Sequence, residues 1–520
     1  MDTAHQHSDR RRRPRWWRAL AVMGLAAPLA AAACSSSGST GSAVTVGKPG
    51  GTLQAGTTFA LTTLDPLPFG AKNAYLYNML YDTPIVMQDQ KPAPALISSW
   101  SLNSADTSAT LHLRPGVTYS DGTPFNSSAL VWNINWEKQP ANAAHALSLW
   151  QQVTATATGP ETVQLRMARP MPAILGMLAG APIVKPGAPA SGIGTGPFKV
   201  SKFVPGQSLT VVRNPHYWQP GQPKLDSIVV TGYSDNATAA LALQSGTIQL
   251  LIAPPADQVA SLKSAGDKAL SAPPTYDGYV PSLLLSLLVN TSTPPLNNVK
   301  VRQALSLAFD RAQFVSTALS GLGRPADSVF SPASPAYQPS PGTDSYDLAQ
   351  AKSLLQQAGV TNLSLSVDTV SILPQTTFMP VFQQDLAKIG VHLTINTIDP
   401  VTWATIVGPG RFPDLITQEN GFVDSDPAIN FGNRDLEPAG NSEHFSSPQY
   451  TALVQAAVRA TNPATRQADY EKVGAYLQQQ DIIIPLAIGG TPSAMYAQSV
   501  GGVQVGFAGI PQYGLITVGS

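Results

Sequence analysis

The sequence predicts an α/β fold, and three observations lead to this prediction. Short segments in which apolar and polar residues alternate, a pattern typical of β-strands, occur along most of the chain. Segments with helical spacing lie between them, and several stop at a glycine. One stretch, residues 363–398, runs strand, helix, strand. Because no fixed-period repeat is visible, α/β lobes fit the sequence better than a repeat array or an all-β sandwich.

The strand predictions rest on alternation that stops at turn residues. Thr110–Arg114 ends at Pro115-Gly116, and Ser208–Arg213 ends at Asn214-Pro215; both dipeptides favour turns. The other predicted strands alternate in the same way or are short apolar runs: Gly51–Gly56, Thr162–Arg166, Pro281–Asn290, Leu363–Val367 and Val391–Ile398.

The helix predictions rest on apolar spacing and on terminal residues. Asp347 is a suitable N-cap for a helix that reaches Ala358 and stops at Gly359. Within the long helix predicted over Val299–Leu319, we expect Arg302 and Asp310 to form salt links on the helix surface or beside a hinge. The remaining predicted helical segments are Asn73–Leu80, Thr238–Ser245 and Met379–Ile389.

Composition excludes several classes of function. The chain has 520 residues, with 31 basic and 31 acidic side chains, so its net charge gives no electrostatic case for nucleic-acid binding. A single cysteine excludes a disulfide within one chain. The seven histidines show no metal-ligating spacing, and neither a nucleophile elbow nor a dinucleotide-binding pattern is present. We therefore expect no cofactor, no metal and no catalysis, although an enzyme built from scattered acidic residues would leave no such motif.

The N-terminus has the pattern of an export signal. Basic residues over 10–18 precede an apolar run, Ala19–Ala33, which is too short to span a bilayer as a helix. Residues 1–33 are therefore predicted to be a signal peptide. Ala31-Ala32-Ala33-Cys34 resembles a lipobox, which predicts lipidation of Cys34, although Ala31 stands where leucine is usual and ordinary cleavage stays open. Sec and twin-arginine export both stay open.

The segment that follows and the charge of the mature chain predict how the protein is attached to the membrane. Residues 34–48, rich in serine and glycine, are expected to be a flexible tether. Removing residues 1–33 takes away six arginines and two aspartates, which leaves 25 basic and 29 acidic residues and a net charge of −4. Since such a surface does not favour anionic lipid, we expect the lipid alone to anchor the protein to the outer face of the cell membrane.

A series of motifs, in order along the chain, resembles one known family. The motifs are Gly51-Thr52-Leu53, Thr63-Leu64-Asp65-Pro66, Leu80-Tyr81-Asp82-Thr83, Leu96–Trp100, Leu111–Phe125, Gly194–Phe198, Arg213–Trp218, Asn297–Arg311, Tyr346–Gly359 and Asp424–Pro427. The resemblance spans about residues 50–515. The chain resembles the extracytoplasmic solute-binding proteins of ABC importers, family 5, of the oligopeptide- and dipeptide-binding type.

This resemblance implies a fold and a division of the chain. The expected fold is α/β, two-lobed and periplasmic-binding-protein-like (type II, similar to cluster C), with an extra small domain. Lobe I is expected to combine residues 49–85, 190–278 and 488–520. Residues 86–189 are expected to form the small domain, and residues 279–487 are expected to form lobe II.

The resemblance also implies a function and its partners. Lobe closure would capture a short peptide, which a membrane permease and its ATPase subunits would then import, and we expect a monomer that does no chemistry itself. Two alternatives stay open. The same fold could bind a non-peptide solute such as a metal chelate, haem or an oligosaccharide, or the chain could be a signalling lipoprotein that senses a solute.

The ligand site is expected near residue 424. In related peptide binders an aspartate in this loop holds the peptide's amino terminus, and Asp424 matches it, with Asp426 and Glu419 as competing candidates. Phe422 and Trp403 are predicted to line a side-chain pocket. Asp424 and Asp426 could instead be turn-forming or capping residues, and Trp403 could belong to the core.

Overall fold

The computed structural model describes part of the chain. The described residues are 49–58, 61–66, 76, 78–88, 91–139, 147–270, 283–332, 334–339, 346–370, 373–421, 426–506 and 510–519. They fall within one unit, Thr45–Ser520. No helix within these ranges is long and apolar enough to cross a membrane. The predicted signal peptide, Cys34, the tether, Phe422, Asp424 and half of the predicted helical segment Asn73–Leu80 lie outside the described residues.

The first large sheet is built around β1 (Thr52–Thr57), which pairs in parallel with β10 (Ser227–Gly232) and β11 (Leu250–Ile252). Four further strands are antiparallel to their neighbours: β8 (Phe198–Val204), β9 (Ser208–Arg213), β12 (Lys268–Leu270) and β19 (Ala494–Tyr496). The order across the sheet is β12-β19-β11-β1-β10-β9-β8. It therefore joins segments from both ends of the chain.

The second large sheet is built around β13 (Leu283–Val289). Its other strands are β14 (Gly323–Pro325), β15 (Leu363–Val370), β16 (Val391–Ile398), β17 (Leu415–Gly421) and β18 (Ile483–Gly489). The order across the sheet is β14-β18-β13-β17-β15-β16. Leu285 and Leu287 of β13 pack into one apolar cluster, and Leu284 and Leu288 pack into another on the opposite face. Apart from Ser286 this strand is apolar, because helices cover both faces of the sheet.

A smaller antiparallel sheet is formed by residues that lie, in sequence, between β1 and β8 of the first large sheet. Its order is β4 (Ile97–Leu102), β5 (Ser108–Leu113), β7 (Thr162–Met167) and β6 (Val153–Gly159). Two short pairs complete the strands of the described residues: β2 (Ile85–Gln88) with β3 (Lys91–Pro94), and β20 (Val500–Gly501) with β21 (Thr517–Val518).

Polar N-caps fix the start of many helices. Asp235, Asp310, Asp347 and Asn462 each accept a hydrogen bond from a backbone N–H in the first helical turn. The α-helices of the described residues are Ser127–Glu137, Leu147–Trp150, Ile174–Gly180, Asn236–Gln244, Ala256–Ser264, Val299–Leu307, Arg311–Thr317, Leu348–Gln357, Gln375–Lys388, Pro400–Val407, Pro427–Asn430, Pro448–Arg459 and Pro463–Gln480. Two 3₁₀-helices are Pro189–Ser191 and Tyr513–Leu515.

The predicted strand–helix–strand unit is confirmed, because β15 and β16 pair in parallel on either side of the helix Gln375–Lys388. The single helix predicted over Val299–Leu319 is wrong. Two helices are present, and Asp310 separates them by capping the second, where its carboxylate accepts a bond of 2.8 Å from the Gln313 N–H. The apolar spacing continues across the break because both helices pack against the same core.

The surface salt link predicted for Arg302 is also wrong. Its side chain is buried, with 2% exposed. The guanidinium donates to the Gln480 carbonyl at 2.7 Å and to the Leu296 carbonyl at 2.9 Å. Burial lowers its pKa to about 10. Arg302 therefore ties its helix to the end of the helix Pro463–Gln480.

Asp82, Trp218 and Arg114 form a cluster between the small sheet and the first large sheet. Its carboxylate accepts a bond of 2.8 Å from Trp218 Nε1 and one of 3.3 Å from the Tyr217 hydroxyl. Arg114, which follows β5, places its guanidinium carbon 4.7 Å from the Trp218 ring centroid. Burial raises the pKa of Asp82 to about 7, against the opposing effect of these hydrogen bonds. Folding therefore favours the protonated carboxyl.

We expect Asp82→Asn to change how stability depends on pH. In the native protein the contribution of Asp82 is fully present below its unfolded pKa of about 4 and is lost as pH rises through about 7. The variant lacks this loss. The free energy of unfolding of the variant minus that of wild type, both measured by urea denaturation, should therefore increase by a few kcal/mol as pH rises from about 4 to about 7. One pKa unit corresponds to about 1.4 kcal/mol.

Asp226→Asn is the matched control. The exposed Asp226 accepts bonds from the Gly51 N–H and from Arg213, which lower its pKa, so its contribution is lost as pH falls. The difference between this variant and wild type should therefore change in the opposite direction. A pH-independent difference for Asp82→Asn would show that Asp82 is not protonated on folding.

Candidate functional site

Two of the predicted ligand residues lie on or against β17: Glu419 belongs to the strand, and Trp403 is bonded to it. This strand pairs along its whole length with β13, but with β15 only at Leu415 and Ile416. From Thr417 to Gly421 the described residues place no strand on that second side. The chain then enters residues 422–425, which are not described, and continues at Asp426. A sheet edge therefore leads directly into the predicted ligand loop.

Trp403 lies against this edge. Its indole Nε1 donates to the Thr417 carbonyl at 3.0 Å, and its partly buried ring packs against the apolar cluster that contains Leu284 and Leu288. The hydrogen bond fixes the orientation of the ring. Because the indole N–H is already used, only the ring surface of Trp403 remains for contact with a ligand.

Glu419 is on the same strand, opposite Leu285 of β13, and its side chain is partly buried. Gln375 donates from Nε2 to the Gln418 carbonyl at 2.8 Å and so holds the strand from the first turn of a helix. Glu419 is three residues before the undescribed segment, which keeps it close to the predicted loop.

Asp426 has a capping role. Its carboxylate accepts a bond of 3.1 Å from the Ala428 N–H at the start of the helix Pro427–Asn430, and another from the Tyr470 hydroxyl. Burial raises its pKa, while Tyr470, Ala428 and the charge of Arg466 oppose the rise. Asp426 therefore has the capping role that the sequence offered as an alternative to ligand binding, and its carboxylate is bonded to partners within the protein.

Several buried carboxyl groups have no counterpart in the sequence predictions. Glu137 is buried, and burial together with the charge of Asp65 raises its pKa to about 8. Asp435 is buried behind β17, where it accepts bonds from Ser442 Oγ at 2.9 Å and Gln418 Nε2 at 3.2 Å. These residues were missed because each acid stands alone in the sequence, and its burial depends on segments far along the chain.

The geometry offers groups that can bind a ligand. Within the described ranges, no group of three or more His, Cys, Asp or Glu side chains is arranged to hold a metal ion. What the site provides is a strand edge, an indole ring and carboxylates near one loop. Such groups recognise a ligand by main-chain pairing and charge.

Comparison with known proteins settles the family. The model of the bacterial extracellular solute-binding proteins, family 5 (Middle), matches residues 91–436. The chain belongs to this family. Members of the family bind solutes outside the cytoplasm, so the resemblance carried by the motifs from Gly51 to Pro427 is confirmed.

Curated relatives agree with this assignment. The glutathione-binding proteins GsiB of Shigella dysenteriae serotype 1 and of Escherichia coli strain K12 are each 27% identical to the chain over 428 residues. The alignments cover 77% of this chain and 81% of each relative.

Solved structures show the fold. DppA of Helicobacter pylori in complex with the peptide STSA has a TM-score of 0.79 at 21% identity, covering 91% of this chain and 99% of that one. NikA of Brucella suis in complex with Fe(III)-EDTA has a TM-score of 0.78 at 22% identity, covering 90% and 100%. The predicted two-lobed type II periplasmic-binding-protein fold is therefore confirmed.

Proposed function

We propose that this protein is the solute-binding component of an ABC importer and that its solute is a short peptide. The observation that carries the proposal is the similarity to glutathione-binding proteins over 77% of the chain, since glutathione is itself a small peptide. The fold alone does not select the ligand, because structures of the same fold hold a peptide in one case and Fe(III)-EDTA in another. A chelate or another non-peptide solute is the second candidate.

The edge of β17 supports a peptide ligand. An extended peptide can add to a sheet edge through main-chain hydrogen bonds, which tolerate different side chains. The stretch Thr417–Gly421 extends past the last pair with β15 and offers such an edge, although the Thr417 and Gln418 carbonyls already accept bonds from Trp403 and Gln375. The ring of Trp403, with Phe422, would contact a ligand side chain.

The charged end of the peptide requires a carboxylate. We assign the amino terminus to Asp424, because Asp426 is bonded to Ala428 and Tyr470. Glu419 would add negative charge nearby. A carboxylate–ammonium contact of this kind is a charge-assisted hydrogen bond, which is stronger than a neutral one.

The two lobes would close around this ligand. We propose that lobe I comprises 49–85, 190–278 and 488–520, that 86–189 forms the small domain, and that lobe II comprises 279–487. The sheets support this division, since the first large sheet takes its strands from residues 52–57, 198–270 and 494–496. Contacts with both lobes would favour the closed state.

Asp424→Ala tests the assignment of the ammonium-binding residue. We expect it to weaken binding of glutathione or of a matching short peptide at least tenfold in isothermal titration calorimetry, because a hydrogen bond between charged groups contributes about 1.5–3 kcal/mol.

Asp426→Asn and Asp426→Ala are the matched controls. Asparagine is also a good N-cap, so Asp426→Asn should leave solute affinity within about twofold, while Asp426→Ala should cost about 1 kcal/mol of stability. Full affinity in Asp424→Ala together with lost affinity in Asp426→Asn would reverse the two assignments.

We also propose that residues 1–33 direct export, that residues 34–48 form a tether, and that lipidated Cys34 anchors a monomer to the outer face of the membrane. The small-residue run before Cys34 and the net charge of −4 that remains after cleavage support a lipid anchor rather than an electrostatic one. An anchored protein would stay close to the permease and ATPase partners that import its solute.

Cys34→Ala should move the protein from the membrane fraction to the soluble extracytoplasmic fraction, because the thiol that carries the lipid is absent. Immunoblots of fractionated cells would measure this shift, with wild type and a Ser36→Ala variant as controls. Equal partitioning of the Cys34→Ala variant and wild type would show that the lipid is not the anchor.

A further inference from the structure

A small cavity lies where the small-sheet region meets the helices that follow β17. Arg169 and Ala173 line one side, Ala428 and Arg459 line the other, and the cavity volume is about 40 Å³. The two sides are in contact around it. Ala173 is buried in an apolar cluster whose other members come from residues 284–488, and Ile429 packs against the cluster of the small sheet.

The walls of this cavity are basic. None of the nine described residues that line it is acidic, and two of them are arginines from opposite sides. Arg459 Nε is fully buried and donates no hydrogen bond within the described part of the chain. A buried guanidinium N–H without an acceptor is unfavourable, so the site favours a negatively charged acceptor.

The nearby carboxyl groups of Asp106 and Asp426 experience the charge of another arginine, Arg466. Arg466 donates to the Ala460 carbonyl at 3.3 Å, just beyond the helix that ends at Arg459. Its charge acts on both Asp106, from the small-sheet region, and Asp426, whose carboxylate is bonded to Tyr470. Neither of these carboxyl groups lines the cavity, so its two arginines have no acid on the cavity walls.

We propose that this cavity binds a small inorganic anion such as chloride, which bridges Arg169 and Arg459 and stabilises the contact between the two sides. The volume of about 40 Å³ accommodates a monatomic anion or a water molecule and is too small for a peptide. Arg169 is exposed, so an anion can enter from solvent. Since the two sides belong to the proposed small domain and lobe II, the inference rests on the proposed lobe closure, and anion binding would favour the closed state.

Diffraction with bromide tests the site directly. Crystals of the protein in the arrangement described above, grown in sodium bromide, should show an anomalous peak between the guanidinium groups of Arg169 and Arg459. A cavity that is empty or holds only water in such crystals would overturn the proposal.

Thermal unfolding in different salts tests the energetic consequence. At equal ionic strength, sodium chloride should raise the Tm by about 1–2 °C relative to sodium gluconate, whose anion is too large for the cavity, since a ligand that binds only the native state stabilises it. Arg169→Gln and Arg459→Gln should each abolish this difference. Arg411→Gln, which removes an exposed arginine outside the cavity, should retain it.

The outcomes separate this inference from the peptide assignment. No solute is added in either experiment, so a chloride-specific effect is measurable whatever the protein transports. Identical Tm values in chloride and gluconate for wild type would contradict an anion site. A chloride effect that persists in both cavity variants would place the anion elsewhere and equally overturn the proposal.

Discussion

The connection of the two large sheets is the constraint on which the rest of the structure depends. The chain passes from one sheet to the other between β12 and β13, and returns between β18 and β19. Because β19 inserts between β11 and β12, the first sheet cannot be completed until the chain has finished the second. The sheets are therefore joined by two connections, an arrangement that permits rotation of one body against the other without loss of either core.

The ligand groups follow from this arrangement. β17 lies inside the second sheet, yet β15 leaves its far end uncovered, and the undescribed segment 422–425 begins there. Two side chains from different helices hold this end of the strand: Trp403 donates to the Thr417 carbonyl, and Gln375 donates to the Gln418 carbonyl. A rigid strand edge beside a loop that carries a carboxylate suits a ligand whose main chain is constant and whose side chains vary.

Local features of the sequence predict the elements well. The strands Ser208–Arg213 and Val391–Ile398 have the bounds that alternation and turn residues indicate, since both signals are contained in a few adjacent residues. The break at Asp310 was missed because its carboxylate is equally compatible with the surface of a continuous helix.

Features that depend on distant residues could not be predicted from the residue patterns. Arg302 is buried because Gln480, 178 residues later, supplies an acceptor, and Asp426 is a cap whose second partner, Tyr470, is 44 residues away. The order of strands in either large sheet also depends on such long-range pairing. The family resemblance supplied the two-lobed fold that periodicity alone does not distinguish from other α/β arrangements.

Native mass spectrometry of the purified protein tests the central claim, that the chain binds short peptides, most directly. A comparison of spectra recorded before and after partial unfolding reveals any ligand that the native protein retains and the unfolded protein releases. The account predicts adduct masses that fit short peptides, and loss of these adducts in Asp424→Ala. A single non-peptide mass, or an empty protein whose Tm no short peptide raises, would contradict the peptide assignment.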